Sequence, residues 1–153
     1  MDDVIVRLAG PQDIQNLAEM FHSLWPGATI EEHSQEVKAL LSARAHGALP
    51  AEIFLAEVEA RLIGFVEVDL RSHADGCDPK HPTGYIEGWY VDPTFRRKRI
   101  GAQLISAAED WARSHGCTEM ASDTWVDNLE SQSAHQALGF EVVDRCVHYR
   151  KSL

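Results

Sequence analysis

Four of the chain's fourteen basic side chains fall in one run, Arg96, Arg97, Lys98 and Arg99. The run follows a strand-like segment, Gly84 to Val91, closed by Asp92-Pro93. It precedes a helical pattern in which Ile100, Leu104, Ile105, Ala108, Trp111 and Ala112 share one stripe. A run of cations is usually a solvated surface. Set at a helix N-terminus, it adds charge where unpaired N–H groups and the helix dipole already favour phosphate. Other chemistry finds less support. The eight histidines form no His-Glu-x-x-His arrangement and have no paired-cysteine companion, so no metal site is expected. Cys77, Cys117 and Cys146 are odd in number and widely spaced, which suits free thiols and neither a disulfide framework nor a covalent nucleophile.

The formal net charge of −10 argues against a nucleic-acid partner and suits a cationic one. No apolar run approaches a membrane span, and the opening Met-Asp-Asp-Val lacks the features of a signal peptide, so a cytoplasmic protein without membrane contact is expected. With 153 residues, a single domain spanning 1–153 is expected.

The elements that would position the basic loop can be read along the chain. Val4 to Leu8 is a short strand. Ile14, Leu17, Ala18, Phe21 and Leu24 recur at helical spacing until Trp25-Pro26-Gly27 stops them, and Thr29 can cap a second helix bearing Val37, Leu40 and Leu41. Ile53 to Val58 and Leu62 to Leu70 read as strands around a turn at Glu59-Ala60, and residues 71–83 read as a long polar loop. After the stripe beginning at Ile100, Gly116 stands where a helix cap is expected. Glu119 to Thr124 is a short strand, Asn128 to Leu138 a helix stopped by Gly139, and Phe140 to Tyr149 a closing strand. The order predicts an α/β domain.

With the loop placed in that order, its residues become specific. Arg96-Arg97-Lys98-Arg99-Ile100-Gly101-Ala102 resembles the pyrophosphate loop of the GCN5-related N-acetyltransferases, Gln/Arg-x-x-Gly-x-Gly/Ala. The resemblance covers nearly the whole chain. It implies a single-domain GCN5-related N-acetyltransferase fold, a mixed and mostly antiparallel sheet flanked by helices, with acetyl-CoA as co-substrate and no metal. Arg99 stands where that family usually has glycine; if φ is positive there, a side chain costs roughly 1–2 kcal/mol. Leu24-Trp25-Pro26-Gly27, Gly76-Cys77-Asp78, Glu87-Gly88, Met120 to Thr124, His135 to Phe140 and Tyr149-Arg150-Lys151 are together similar to the aminoglycoside 6′-N-acetyltransferases. That likeness implies a polycationic amino-sugar acceptor and a homodimer.

The residue roles implied by the resemblance agree with the demands of the reaction. An alkylammonium of pKa near 10 is only about one part in a thousand neutral at pH 7, a penalty of roughly 4 kcal/mol, so acids must gather the cation and take its proton. Asp123 matches the proton acceptor and a substrate contact, against a turn-forming Asp as the plain alternative. Glu87 and Asp144 match substrate contacts, although Asp144 also suits an exposed strand position. Trp25 is either a flat wall for the substrate or core, and His73 falls near an aromatic substrate contact. Trp89, Tyr90 and Val91 are expected to offer backbone groups to the pantetheine arm. Arg97, Lys98, Arg99, Ile100, Gly101 and Ala102 are expected to wrap the pyrophosphate. Asn128 is a cofactor contact, a helix N-cap, or both. Tyr149 is the expected acid for the leaving thiolate, with packing as its alternative and Tyr90 in reserve. Polyamines, amino acids or peptide N-termini are alternative acceptors, and a non-catalytic acyl-CoA-binding module is the alternative from another class.

Overall fold

The computed structural model describes residues 3–96 and 98–153. Its strands are β1 (Val4–Leu8), β2 (Ala45–His46), β3 (Leu49–Val58), β4 (Arg61–Arg71), β5 (Thr83–Val91) and β6 (Met120–Ser122). Its helices are α1 (Ile14–Leu24), α2 (Ile30–Ala43), α3 (Ile100–Ser114) and α4 (Leu129–Ala137). The sheet runs β1-β3-β4-β5-β6, with β2 hydrogen-bonded beside β3. Every pairing is antiparallel except the last, in which β6 runs parallel to β5.

The sheet is buried on both faces, so β4 reads as a nearly continuous buried run. Leu17 and Phe21 of α1, with Val37, Leu40 and Leu41 of α2, cover one face through Ala51, Ile53, Leu55 and Phe65. Ile100, Leu104, Ile105 and Ala108 of α3 cover the other through Ala56, Val58, Ile63, Val66, Val68 and Ile86. The helix starts and stops follow local chemistry. Thr29 accepts from the Glu32 N–H while Glu32 reaches back to the Thr29 N–H, a reciprocal cap on α2. Proline after Trp25 cannot continue α1, whose last turn closes with Trp25 N–H donating to the Phe21 carbonyl.

One irregularity matters for function. Glu67 pairs with Gly88 and Val68 with Ile86, so Glu87 is an extra residue bulged into β5. The bulge breaks the alternation and directs Glu87 to the same α1/α2 face as Gly88. A second feature lies on the other edge of β5, which meets β6 only from Gly84 to Ile86. From Glu87 to Val91 that edge has no strand partner among the described residues.

The expected closing strand from Phe140 to Tyr149 does not form. Residues 140–153 have no regular secondary structure, and beyond Phe140 the backbone makes no hydrogen bond to the rest of the described chain. A strand needs a paired edge, and among the described residues no strand is hydrogen-bonded to the segment. Val142, Val143, Val147 and Tyr149 are left exposed. The short strand β2 was not expected, while β3 and β4 extend beyond their expected limits.

Candidate active site

The site is built on the two sides of β5. On its open edge lie the backbones of Trp89, Tyr90 and Val91, followed by the N-terminus of α3. Arg99 caps that helix with φ of +63°, the left-handed conformation that the usual glycine would adopt without strain. The first hydrogen bond of the helix runs from Gln103 N–H to the Arg99 carbonyl. The amides of Ile100, Gly101 and Ala102 therefore have no intrahelical acceptor and are available to phosphate. Lys98 and Arg99 are exposed beside them. Gly101 lies against the indole of Trp89, where an added Cβ would sit 3.0 Å from the ring. Ile100 is core, so any phosphate contact it makes is through its backbone. Arg97 lies outside the described residues. Asn128 is the α4 cap: its side-chain oxygen accepts from the Ser131 N–H at 3.0 Å. These groups fit a pyrophosphate at the helix and an extended arm along the strand edge.

On the α1/α2 face a cavity of about 260 Å³ is lined by Trp25, His33, Glu36, His46, Glu67 and Glu87. Trp25 packs on the core, as one of its two expected readings has it, and also lines the cavity. Its ring lies directly over Gly88, where a Cβ would stand 2.4 Å from the indole edge. Glu87 takes two hydrogen bonds from the Arg71 guanidinium, one from Nε at 3.2 Å. Beside it Asp69, 5% exposed, approaches the His46 ring nitrogen Nδ1 at 3.2 Å. His46 Nδ1 and oxygens of Asp69 and Glu87 lie within 4.8 Å of one another, a spacing open to a small cation. Arg71 already supplies positive charge to Glu87 there.

Asp123 connects to this network from the end of β6. The buried Tyr85 hydroxyl donates to Asp123 Oδ2 at 2.7 Å, and the Arg71 guanidinium carbon sits 3.4 Å above the Tyr85 ring. Burial, reinforced by the bond to Asp123, raises the Tyr85 pKa well above the usual phenol range, so it stays a donor. A continuous polar path thus runs Asp123–Tyr85–Arg71–Glu87. The remaining expected residues lie elsewhere. His73 is exposed in the 72–82 loop with Asp75 at 3.8 Å. Asp144 is exposed, and Tyr149 is 92% exposed, both on the unpaired C-terminal segment. Tyr90 stacks on Phe65 with ring centroids 6.0 Å apart.

Sequence reasoning missed Glu36, Glu67, Asp69, Arg71 and Tyr85, whose importance depends on strand register. The only signal was an acid at every second position of β4, Glu67 and Asp69 between Val66, Val68 and Leu70.

The comparisons with known proteins converge on this geometry. The sequence profile described as "Acetyltransferase (GNAT) family" matches residues 15–140. The chain belongs to the GNAT acetyltransferases. An aminoglycoside N(6′)-acetyltransferase type 1 from Klebsiella aerogenes is 39% identical over 150 residues, covering 97% of each chain. The solved structure of the aminoglycoside N-acetyltransferase AAC(6′)-Iy with CoA superposes with a TM-score of 0.89 at 33% identity, covering 100% of this chain and 97% of that one. The same enzyme with the bisubstrate analogue CoA-S-monomethyl-acetylneamine gives 0.88 at 34% identity, covering 99% of each. Within the GNAT acetyltransferases, the chain is an aminoglycoside 6′-N-acetyltransferase family member that depends on acetyl-CoA.

The contact between Trp25 and Gly88 yields a prediction. Gly88→Ala forces the indole away from β5 and deforms the cavity without touching the α3 loop. The KM for the acceptor amine should rise about tenfold or more, about 1.4 kcal/mol of binding, with acetyl-CoA affinity unchanged. Thiol-release kinetics and an acetyl-CoA titration measure the two. An equal loss of both would place the cavity outside acceptor binding.

Proposed function

We propose that this protein transfers the acetyl group of acetyl-CoA directly to the 6′-amine of aminoglycoside antibiotics in a ternary complex, and so confers resistance. The observation that supports it most is the pairing of a cofactor edge and an acidic cavity on one strand, β5. The amine nitrogen forms a bond to the thioester carbonyl carbon as the carbon–sulfur bond breaks. The proton lost by the amine goes to Asp123, which Tyr85 orients, and the departing thiolate takes a proton from Tyr149. Backbone N–H groups of the Trp89–Val91 edge polarise the carbonyl. Lys98, Arg99 and the first amides of α3, with Arg97 expected beside them, hold the pyrophosphate, and Asn128 borders it. Trp25, Glu87, Asp144 and His73 contact the amino sugar.

A thiol-release assay with kanamycin and spermidine, with mass spectrometric mapping of the product, tests this reading. Turnover of kanamycin with acetyl at the 6′ position is expected, and Asp123→Asn should reduce kcat at least tenfold with acetyl-CoA binding retained. Turnover of spermidine alone would end the aminoglycoside reading, and unchanged turnover in Asp123→Asn would remove that carboxylate from the mechanism.

The functional unit in this proposal is a homodimer in the cytoplasm, with neither nucleic acid nor membrane as partner. Supporting the location, all three cysteines are free and no helix of the described residues is long and apolar enough to cross a membrane. Supporting the dimer, residues 140–153 expose apolar side chains and an unpaired backbone that a second copy would cover. Tyr149 and Asp144 reach a reaction centre only in that assembly. Light scattering should give twice 17.1 kDa for the full chain and a monomer after truncation at Phe140. A full chain that is monomeric at micromolar concentration would contradict it.

A further inference from the structure

The cavity wall holds acceptors that have no donors. Glu67 is 4% exposed and lines the cavity. Beside it Asp69 Oδ1 and His33 Nδ1 are buried without hydrogen-bond partners. His33 Nε2 donates to the Trp25 carbonyl at 2.9 Å, and its Nδ1 lies 3.6 Å from Glu36 Oε2. Leaving a buried acceptor such as Asp69 Oδ1 unsatisfied costs about 1–3 kcal/mol, and with the carboxylates of Glu67, Glu87 and Glu36 around the same opening it defines the missing guest. It must be rich in donors and positively charged, with few atoms. A primary alkylammonium, with three N–H donors on one nitrogen, meets all three demands.

We propose that this cavity is a seat for an ammonium group of the acceptor, with Glu67 as its counter-ion and Asp69 as a further acceptor. The proposal rests on the amino-sugar reading above and deepens it, since Glu67 lies apart from the Asp123 end of the network. The groups facing Glu67 are His33 and Glu36 from α2, His46 from β2, Asp69 and Arg71 on its own strand, and Glu87 from β5. From the end of α1 comes only the Trp25 ring, and from β3 the cross-strand partner Ile53. Burial, with Glu36, Glu87 and Asp69 nearby, pushes the Glu67 pKa up to about 8, and burial beside Glu87 pushes Asp69 up to about 6. The empty seat therefore keeps a proton on Glu67 at neutral pH. An entering ammonium replaces that proton, and binding strengthens as pH rises from 7 toward 8.

The test compares the full-length enzyme with Glu67→Gln, which has the size of the protonated acid and cannot ionise, and with Glu67→Asp, which can. Calorimetry at pH 7 in buffers of different ionisation enthalpy, with CoA bound, counts protons for kanamycin and for spermidine. Wild type should release more protons per amine bound than Glu67→Gln, because the entering ammonium displaces a proton that only the carboxyl carries. Glu67→Gln should raise the kanamycin KM at least tenfold, with kcat within about threefold and CoA affinity unchanged. Glu67→Asp should recover part of the KM and the proton release. Equal proton counts and equal KM values in wild type and Glu67→Gln would overturn the proposal. Should kanamycin not be turned over at all, the aminoglycoside reading fails, and the spermidine titration alone decides the seat. Spermidine that binds both proteins equally, or neither, overturns it.

Discussion

Everything in this site depends on the pairing of β5. One edge is held by β4 along its whole length, while the other is held by β6 for three residues and then released. From Glu87 to Val91 the released edge has no strand partner among the described residues, so its backbone groups are open to an extended ligand, and the chain runs on from it to the α3 N-terminus. Unpaired backbone groups inside a fold are costly, so an edge left open this way is a site for something that pairs with it. The bulge at Glu87 acts on the perpendicular axis. It adds a carboxylate to the face that also displays Glu67 and Asp69, so in the proposed reading β5 lies between cofactor and acceptor.

The acidic face is stabilised from both ends. Arg71 lies between Glu87 and the Tyr85 ring, and Tyr85 extends the connection to Asp123. A lone buried carboxylate would be destabilising. Here Arg71 bonds Glu87 and His46 approaches Asp69, while Glu67 on the same face is bonded to neither. In the proposed reading that excess of acid is what a polycationic acceptor would relieve.

Much of this was legible in the sequence. The helices followed from spacing and caps: Thr29, the Trp25-Pro26 stop and Asn128 all serve as local chemistry dictates. The strained Arg99 followed from one departure in a loop pattern. What could not be read depends on register. An alternating pattern does not reveal the bulged residue, so Glu87 was legible as an acid in an apolar strand but not as a partner of Arg71. Glu67 and Asp69 look like the solvated half of a strand, because nothing local says that α2 and β2 fold over them. The last segment failed for the opposite reason. Phe140 to Tyr149 has strand-like residues, yet strand formation is a property of two paired edges, and residue types along one segment do not reveal the partner.

Diffraction from crystals of the complex with CoA and kanamycin tests the central claim, that β5 divides cofactor from acceptor. The account predicts the CoA sulfur beside the backbone of Trp89 to Val91, the pyrophosphate at the first turn of α3, and an ammonium of the drug hydrogen-bonded to Glu67 or Glu87 beneath Trp25. A drug bound clear of that cavity, or CoA on the α2 side of the sheet, would contradict it.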